Sequence, residues 1–329
     1  MIKQRFGILF LPLILLFQNP VWAQDPHLSQ FYAFPLWVNP ASTGMFDDAD
    51  WKAHLQHRSQ WGGLIAKPFI TDAISFDMPY RKFGLGSYLI SNRAGSAGYN
   101  VLNFVLSGAY EITIDPNRIH HLTTGLQLGF IQKSINQNNV TFDNQYNSST
   151  GEFDQTISSG ENFSKVGFFI PEANFGLEYF YTNPAKKFSP YVGLSGLHLT
   201  QPKETFLGGK NKLPARILSF GGARYRINSL FTAEGNLMLQ RQANNNELQL
   251  GGLCFYNYEE KKMKFFAGPY YRNKDAIIIH TGMEYGEYVF RMSYDINVSP
   301  LAAIMGRSSG FEFSVTYTKK RVSYVPSIM

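Results

Sequence analysis

Residues 288–298 alternate: Tyr288, Phe290, Met292, Tyr294, Ile296 and Val298 are aromatic or apolar, while Arg291, Ser293, Asp295 and Asn297 between them are polar or charged. Successive side chains of a β-strand point to opposite faces, so a strand with this pattern has one dry face and one wet face. The same period places Leu55 against Lys52, His54, Gln56, Arg58 and Gln60, and Leu102, Phe104, Leu106 and Tyr110 against Asn103 and Ser107. It sets Phe231, Ala233, Leu237 and Leu239 against Thr232, Glu234, Asn236 and Gln240, and Phe311, Phe313, Val315 and Tyr317 against Glu312, Ser314 and Thr316. No stretch reaches the roughly 18 consecutive apolar residues that a spanning helix needs, so a bundle of membrane helices is excluded.

A soluble sandwich alternates as well, and composition separates the two. Charged residues are only 16% of the chain and aromatics also 16%, against about 25% charged in an ordinary soluble domain. This much Phe and Tyr, with a net charge of only +6, excludes a disordered chain. Aromatics gather at strand ends, with Trp51 and Trp61 bracketing one strand and Tyr288 and Tyr294 flanking another, as in the girdles at the two faces of a bilayer. Tight turns at Arg81-Lys82, Asn228-Ser229 and Tyr285-Gly286-Glu287 alternate with longer polar ones, the longest at 134–165. Glycines inside strands, among them Gly125, Gly129, Gly176, Gly193, Gly222 and Gly252, suit a curving wall. The reading is an all-β chain, a transmembrane antiparallel β-barrel of about 14 strands with an N-terminal plug or hatch. Its strands fall near 51–61, 69–79, 83–93, 98–112, 119–133, 166–182, 187–199, 213–227, 229–241, 246–258, 262–272, 275–285, 287–298 and 309–319.

The amino terminus carries an address. Lys3 and Arg5 precede an apolar stretch at 6–17, and in Val21-Trp22-Ala23 the first and last residues supply the smaller side chains of a cleavage position. Residues 1–23 read as a secretory signal cut between Ala23 and Gln24. Cys254 is the one cysteine, so no intramolecular disulfide is possible, and a small apolar role is expected of it. No basic cluster interleaved with aromatics points to nucleic acid.

Residues 24–50 do not alternate. Asp25-Pro26 opens this segment, Gln30-Phe31-Tyr32 follows, and Trp37-Val38-Asn39-Pro40-Ala41 leads to Gly44. The Asn-Pro pair disfavours helix at Asn39. Four aromatics within seven positions, Phe31, Tyr32, Phe34 and Trp37, call for a surface to bury against, and the lumen of a barrel provides one. Asp25, Pro26, Gln30, Phe31, Tyr32, Trp37, Asn39, Pro40 and Gly44 are the residues expected to contact the barrel or a partner.

The order Gln24-Asp25-Pro26, Ser29-Gln30-Phe31, Asn39-Pro40-Ala41 and Gly44, followed by Arg58-Ser59-Gln60-Trp61, Gly268-Pro269-Tyr270-Tyr271-Arg272 and Gly310-Phe311-Glu312-Phe313-Ser314, resembles the PorP/SprF family of Bacteroidetes outer-membrane proteins. The resemblance spans residues 24–329. It implies a barrel that works with type IX secretion components and gliding, that serves surface delivery of an adhesin or other cargo protein with a C-terminal sorting domain, and that sits in outer-membrane lipid. Two features depart from the family pattern: a tail at 320–329 beyond the last aromatic strand, and His57, where related sequences often carry an aromatic.

An enzyme finds no support in the residues. The seven histidines, 27, 54, 57, 120, 121, 198 and 280, do not stand at metal-ligand or nucleophile-activating spacings, and neither Gly208-Gly209-Lys210 nor Gly84-Leu85-Gly86 completes a phosphate loop. No cofactor is expected. Arg58, Glu234, Arg291, Asp295 and Glu312 are expected to point into the lumen, where charges persist only when paired or hydrated, and to hold the amino-terminal segment or a secreted partner's terminal domain. A transporter of hydrophobic small molecules similar to the fatty-acid channels, or a passive porin, remain the alternatives. An apolar pocket with a gap in the wall marks the first, a clear aqueous path the second.

Overall fold

The computed structural model describes residues 25–321 except 62–67, 95–97, 114, 116, 118, 137–141, 155, 158–165, 207–210, 301 and 303–307. The signal segment with its Ala23/Gln24 junction, and the tail after residue 321, lie outside the described residues. Fourteen strands close one antiparallel barrel. They are β1 (Ala49–Gln60), β2 (Phe69–Tyr80), β3 (Phe83–Ala94), β4 (Tyr99–Thr113) and β5 (His120–Ser134), then β8 (Gly167–Tyr181), β9 (Phe188–Leu197), β10 (Arg216–Arg226), β11 (Phe231–Gln242), β12 (Asn245–Tyr258), β13 (Met263–Arg272), β14 (Ala276–Tyr285), β15 (Tyr288–Asn297) and β16 (Ser308–Lys320). A two-residue ladder, β6 (Tyr146–Asn147) with β7 (Glu152–Phe153), stands apart from the barrel. This ladder lies within the long polar loop, where the turn between Tyr146 and Phe153 lets their rings meet edge to face. Lys320 belongs to the last strand rather than to a tail, paired with Ala49.

Each barrel strand pairs with the next barrel strand in sequence, β5 with β8 across the β6–β7 ladder, and β1 closes on β16 from Ala49↔Lys320 to Gln60↔Gly310. Alternation decides which face is which. On β5, Leu126 and Leu128 are 62% and 66% exposed on the outside, while Gln127 between them is 1% exposed on the inside. Leu55, Leu106, Leu194, Ile217 and Phe169 join the outer set. A soluble protein rarely leaves a continuous apolar surface of more than a few hundred Å² in contact with water; this wall circles the molecule and is matched to lipid. His57 also faces outward, hydrogen bonded to Asp72, which pairs with Arg93.

The core is inside the barrel, and residues 25–44 supply much of it. Leu28, Phe34, Leu36 and Trp37 pack with Tyr88, Ile90 and Val105, and Phe31 and Val38 pack with Leu218, Phe266, Tyr270 and Ile278. Full burial of such a side chain is worth about 1.5–3 kcal/mol, enough to offset much of the cost of ordering a short segment. The backbone there folds as two 3-10 turns, Phe31–Ala33 and Pro40–Ser42, around the one-turn helix α1 (Pro35–Val38).

Outer-membrane barrels carry short turns on the periplasmic side and longer loops outside. The end marked by Ala49, Lys320 and the turns at Arg81-Lys82 and Gly286-Glu287 is therefore periplasmic. The segment descends through the barrel toward it. Asp25 meets Gln242 at the outer end of β11, and Gly44 meets Asp77 near the periplasmic end of β2.

Candidate functional site

The segment is held at three places, each by charge or by close backbone approach. The first is a buried knot around Ser29 and Gln30. The Glu312 carboxylate accepts both backbone N–H groups, Ser29 and Gln30, at 2.8 Å each. Ser29 Oγ donates to Asp295 at 2.7 Å and accepts from Arg58 Nη1 at 2.7 Å, and its carbonyl accepts from Gln249 at 2.7 Å. The Gln30 amide donates to the Glu312 carbonyl at 3.0 Å and accepts from Ser314 at 2.6 Å. Arg58 bridges Asp295 and Glu312 at 2.8 and 3.0 Å, and Arg272 reaches Asp295 at 2.8 Å. Two guanidinium groups thus face two carboxylates, and burial of all four is tolerable because the cluster is neutral and its members are hydrogen bonded.

The second anchor is Asp25. Its carboxylate accepts from His198 Nε2 at 2.7 Å and pairs with Arg216 Nη1 at 3.2 Å, and His198 Nδ1 donates to Glu172 at 2.7 Å. Both imidazole nitrogens donate to carboxylates, so His198 is the cation form. It stands one residue past β9. Burial alone would lower its pKa, but the Asp25 charge and the hydrogen bonds to Asp25 and Glu172 raise it to about 9. Burial would likewise raise Asp25; the charges of His198 and Arg216 outweigh this and hold it well below the usual carboxylate range. Arg216 also lies 4.2 Å over the Trp37 ring and donates to the Trp37 carbonyl, a cation–π contact worth about 2 kcal/mol when desolvated.

The third anchor is the Asn39-Pro40 corner. Asn39 is extended at φ −150°, its Oδ1 accepts from Ala41 N at 3.0 Å, and its Nδ2 donates to the Leu177 carbonyl at 2.9 Å. A Cβ on Gly125 would stand 2.3 Å from the Pro40 carbonyl carbon, and one on Gly176 1.8 Å from Asn39 Oδ1. These two glycines, read from the sequence as aids to curvature, are a seat for the corner. Beyond it Ser42 donates to Glu178 at 2.5 Å and Gly44 N to Asp77 at 2.8 Å. Gly44 has φ +63°, and its Cβ would collide with the Met78 carbonyl, so both conformation and space require glycine.

Other residues singled out in the sequence fall between these anchors. Tyr32 stacks on Tyr270 and hydrogen bonds His280 at 3.1 Å; Phe31 meets Tyr270 edge to face; Pro26 is packed beside His27 and Leu218. Of the five lumen charges, Arg58, Asp295 and Glu312 meet the segment. Glu234 and Arg291 do not; they line a cavity of about 670 Å³ beneath it. This vestibule reaches Asp48, Gly286, Glu287 and Lys320 at the periplasmic rim. Glu234 is engaged by Arg224 at 2.6 Å, and Arg291 donates to Thr316 at 2.8 Å. Sequence reading missed Arg272, His198, Glu172 and Arg216. Arg272 shares the inward register of Tyr270, two residues away, which could have disclosed it. Glu172 likewise shares the inward register of Ile170 and Asn174 on β8, whereas His198 and Arg216 lie at strand ends where alternation gives no direction.

Among the described residues, no group of three or more His, Cys, Asp or Glu side chains forms a metal site. A family model described as "Type IX secretion system membrane protein PorP/SprF" matches residues 21–317. The chain belongs to the PorP/SprF family. As a member it is a multi-pass β-barrel of the outer membrane. No curated protein matches it significantly. Among solved structures, the P. putida toluene transporter TodX is similar at 11% identity, with 87% of this chain and 93% of that one covered and a TM-score of 0.51. A Pseudomonas aeruginosa FadL homologue is similar at 10% identity, with 85% and 92% covered and a TM-score of 0.51. At such identities the likeness speaks for the shared barrel fold.

Proposed function

We propose that this PorP/SprF barrel is an accessory of type IX secretion that binds specific secreted surface proteins bearing C-terminal sorting domains and associates with periplasmic parts of the machinery. The observation that carries the reading is the division of the lumen. Residues 25–38 pack into the outer half, locked by two neutral four-charge clusters, and among the described residues a vestibule of about 670 Å³ opens on the periplasmic side. A plug fixed in this way disfavours a passive porin, which needs a continuous aqueous path. The lining of the vestibule, with Asp77, Glu178, Arg224, Glu234, Glu284 and Arg291, disfavours an apolar cargo of the kind named for the toluene transporter. The role is binding, with no chemical step.

The test is affinity purification of the tagged full-length chain from its native organism, in wild-type form and lacking residues 24–44. Recovery of type IX components and of an adhesin or other C-terminally sorted protein is expected with the wild type. Recovery of the barrel alone, together with normal surface display of such proteins in a strain lacking it, would overturn the reading.

A further inference from the structure

Deep in the vestibule one cation, Arg291, is reached by the charges of Glu234 and Glu284 only through space. Of the carboxylates there, Glu234 pairs with Arg224 and Glu284 with Lys264, while Asp77 and Glu178 are hydrogen bonded by neutral donors, Gly44 N and the Ser42 hydroxyl. Lys52 lies 3.5 Å from Asp48. Arg291, on β15, has no carboxylate within ion-pair distance among the described residues, and its one hydrogen-bond partner there is Thr316. A guanidinium carries five N–H donors in a planar fork suited to carboxylate or phosphate. With one donor spent on Thr316, the rest of the fork belongs to the cavity.

A directed chain of hydrogen bonds fixes that fork. Gln56 Nε2 donates to Glu312 at 2.5 Å, so Gln56 Oε1 accepts from His54 Nε2 at 2.8 Å. A neutral His54 then presents Nδ1 as an acceptor, and the Thr316 hydroxyl donates to it at 2.9 Å. Thr316 Oγ1 is left to accept from Arg291. The cation is thus held by the same carboxylate that clamps Ser29 and Gln30, four links away.

We infer that Arg291 is the receptor for the terminal carboxylate of a polypeptide entering the vestibule from the periplasm. This deepens the secretion reading and rests on it. A polypeptide end fits better than a small anion because aromatic and aliphatic surface adjoins the charge: Phe31, Tyr32, Tyr191, Phe220 and Val289 all line the same cavity. A volume of about 670 Å³ lies in the range that encloses a drug-sized ligand, room for a few residues of extended chain and too little for a folded domain. Carboxylate capture at a chain end is an established way for a protein to read a peptide.

The experiment uses the purified full-length barrel in detergent micelles, so that its outcome is independent of whether secretion components co-purify. Three probes are titrated: an N-acetylated Val-Tyr-Val-Phe peptide with a free carboxylate, the same peptide as its carboxamide, and inorganic phosphate. The free acid should bind at least about ten-fold more tightly than the amide, the size of effect one charge-assisted contact produces. That preference should vanish in Arg291→Gln and shrink in Arg291→Lys. If Arg291→Gln does not fold, Thr316→Val serves instead, since loss of the hydroxyl that aims the fork should reduce the preference severalfold while the charge remains. Equal binding of acid and amide by the wild type, an undiminished preference in Arg291→Gln, or stronger competition by phosphate than by the free acid would each overturn the assignment.

Discussion

Asn39 Oδ1 occupies the space a Cβ on Gly176 would fill, 1.8 Å from the ideal Cβ position. The wall and the segment are fitted to each other at that point by the absence of one carbon atom. Gly176→Ala should dislodge the Asn39-Pro40 corner while leaving strand pairing in β8 intact, since alanine suits a strand better than glycine does. Overpacking of this kind costs about 1–3 kcal/mol. Limited proteolysis should cut residues 30–45 faster in the variant while the barrel keeps its heat-modifiable mobility; equal cutting rates would contradict the close approach.

Glu312 is the hub of the knot. In Glu312→Gln one side-chain oxygen remains to face two backbone N–H groups, and Arg58 and Arg272 are left with Asp295 as their one fully buried carboxylate. Removal of one member of a buried ion cluster typically costs about 3–5 kcal/mol. Denaturant unfolding in micelles should show a loss of that order, and a loss below about 1 kcal/mol would indicate that solvent reaches the cluster.

The Asp25 anchor should depend on pH with a definite sign. His198 binds its proton more tightly in the folded protein, where its pKa is raised to about 9 from an ordinary 6.5. Its contribution is fully present below pH 6.5, declines above that value, and is lost as pH rises through about 9. Asp25, with its pKa depressed, contributes above its ordinary value of 3.8 and loses that contribution only in stronger acid. Hydrogen exchange at the amides around Asp25, corrected for the intrinsic rate, should therefore show protection falling between pH 6.5 and 9.5. In His198→Gln the profile should be flat across that window.

The plug should be separable from the wall. Without residues 24–44, Arg58, Arg272, Asp295 and Glu312 still neutralise one another across the lumen, so the shortened chain should insert as a barrel. In planar bilayers it should conduct ions in long-lived steps, whereas the full-length protein should be nearly silent. Equal conductance of the two would place the permeation path elsewhere.

Much of this was legible in the sequence, and the reason is physical. Period-two alternation is a local property, so Leu126, Gln127 and Leu128 announce their faces without knowledge of any partner. The inward direction of Arg58, Asp295 and Glu312 followed from it. Partner choice did not follow, because it is set by closure: Ser29 and Glu312 lie 283 positions apart. His198 and Arg216 sit where strands end and the period stops, whereas Arg272 shares the inward register of Tyr270 and is legible from it. The glycines misled for a related reason. A missing side chain is equally compatible with a bend and with a neighbour pressed against the backbone, and only the neighbour's position separates the two.

The knot has a consequence for the order of assembly. Its ligands come from β1 and β16, the pair whose meeting seals the wall, and from β12, β13 and β15, which are synthesised late. The residues of the segment emerge first and must wait, unsatisfied, for strands made last. Locking of the segment therefore reports that the ring is whole, and a chain interrupted before β16 would lack the carboxylate needed to hold its own beginning.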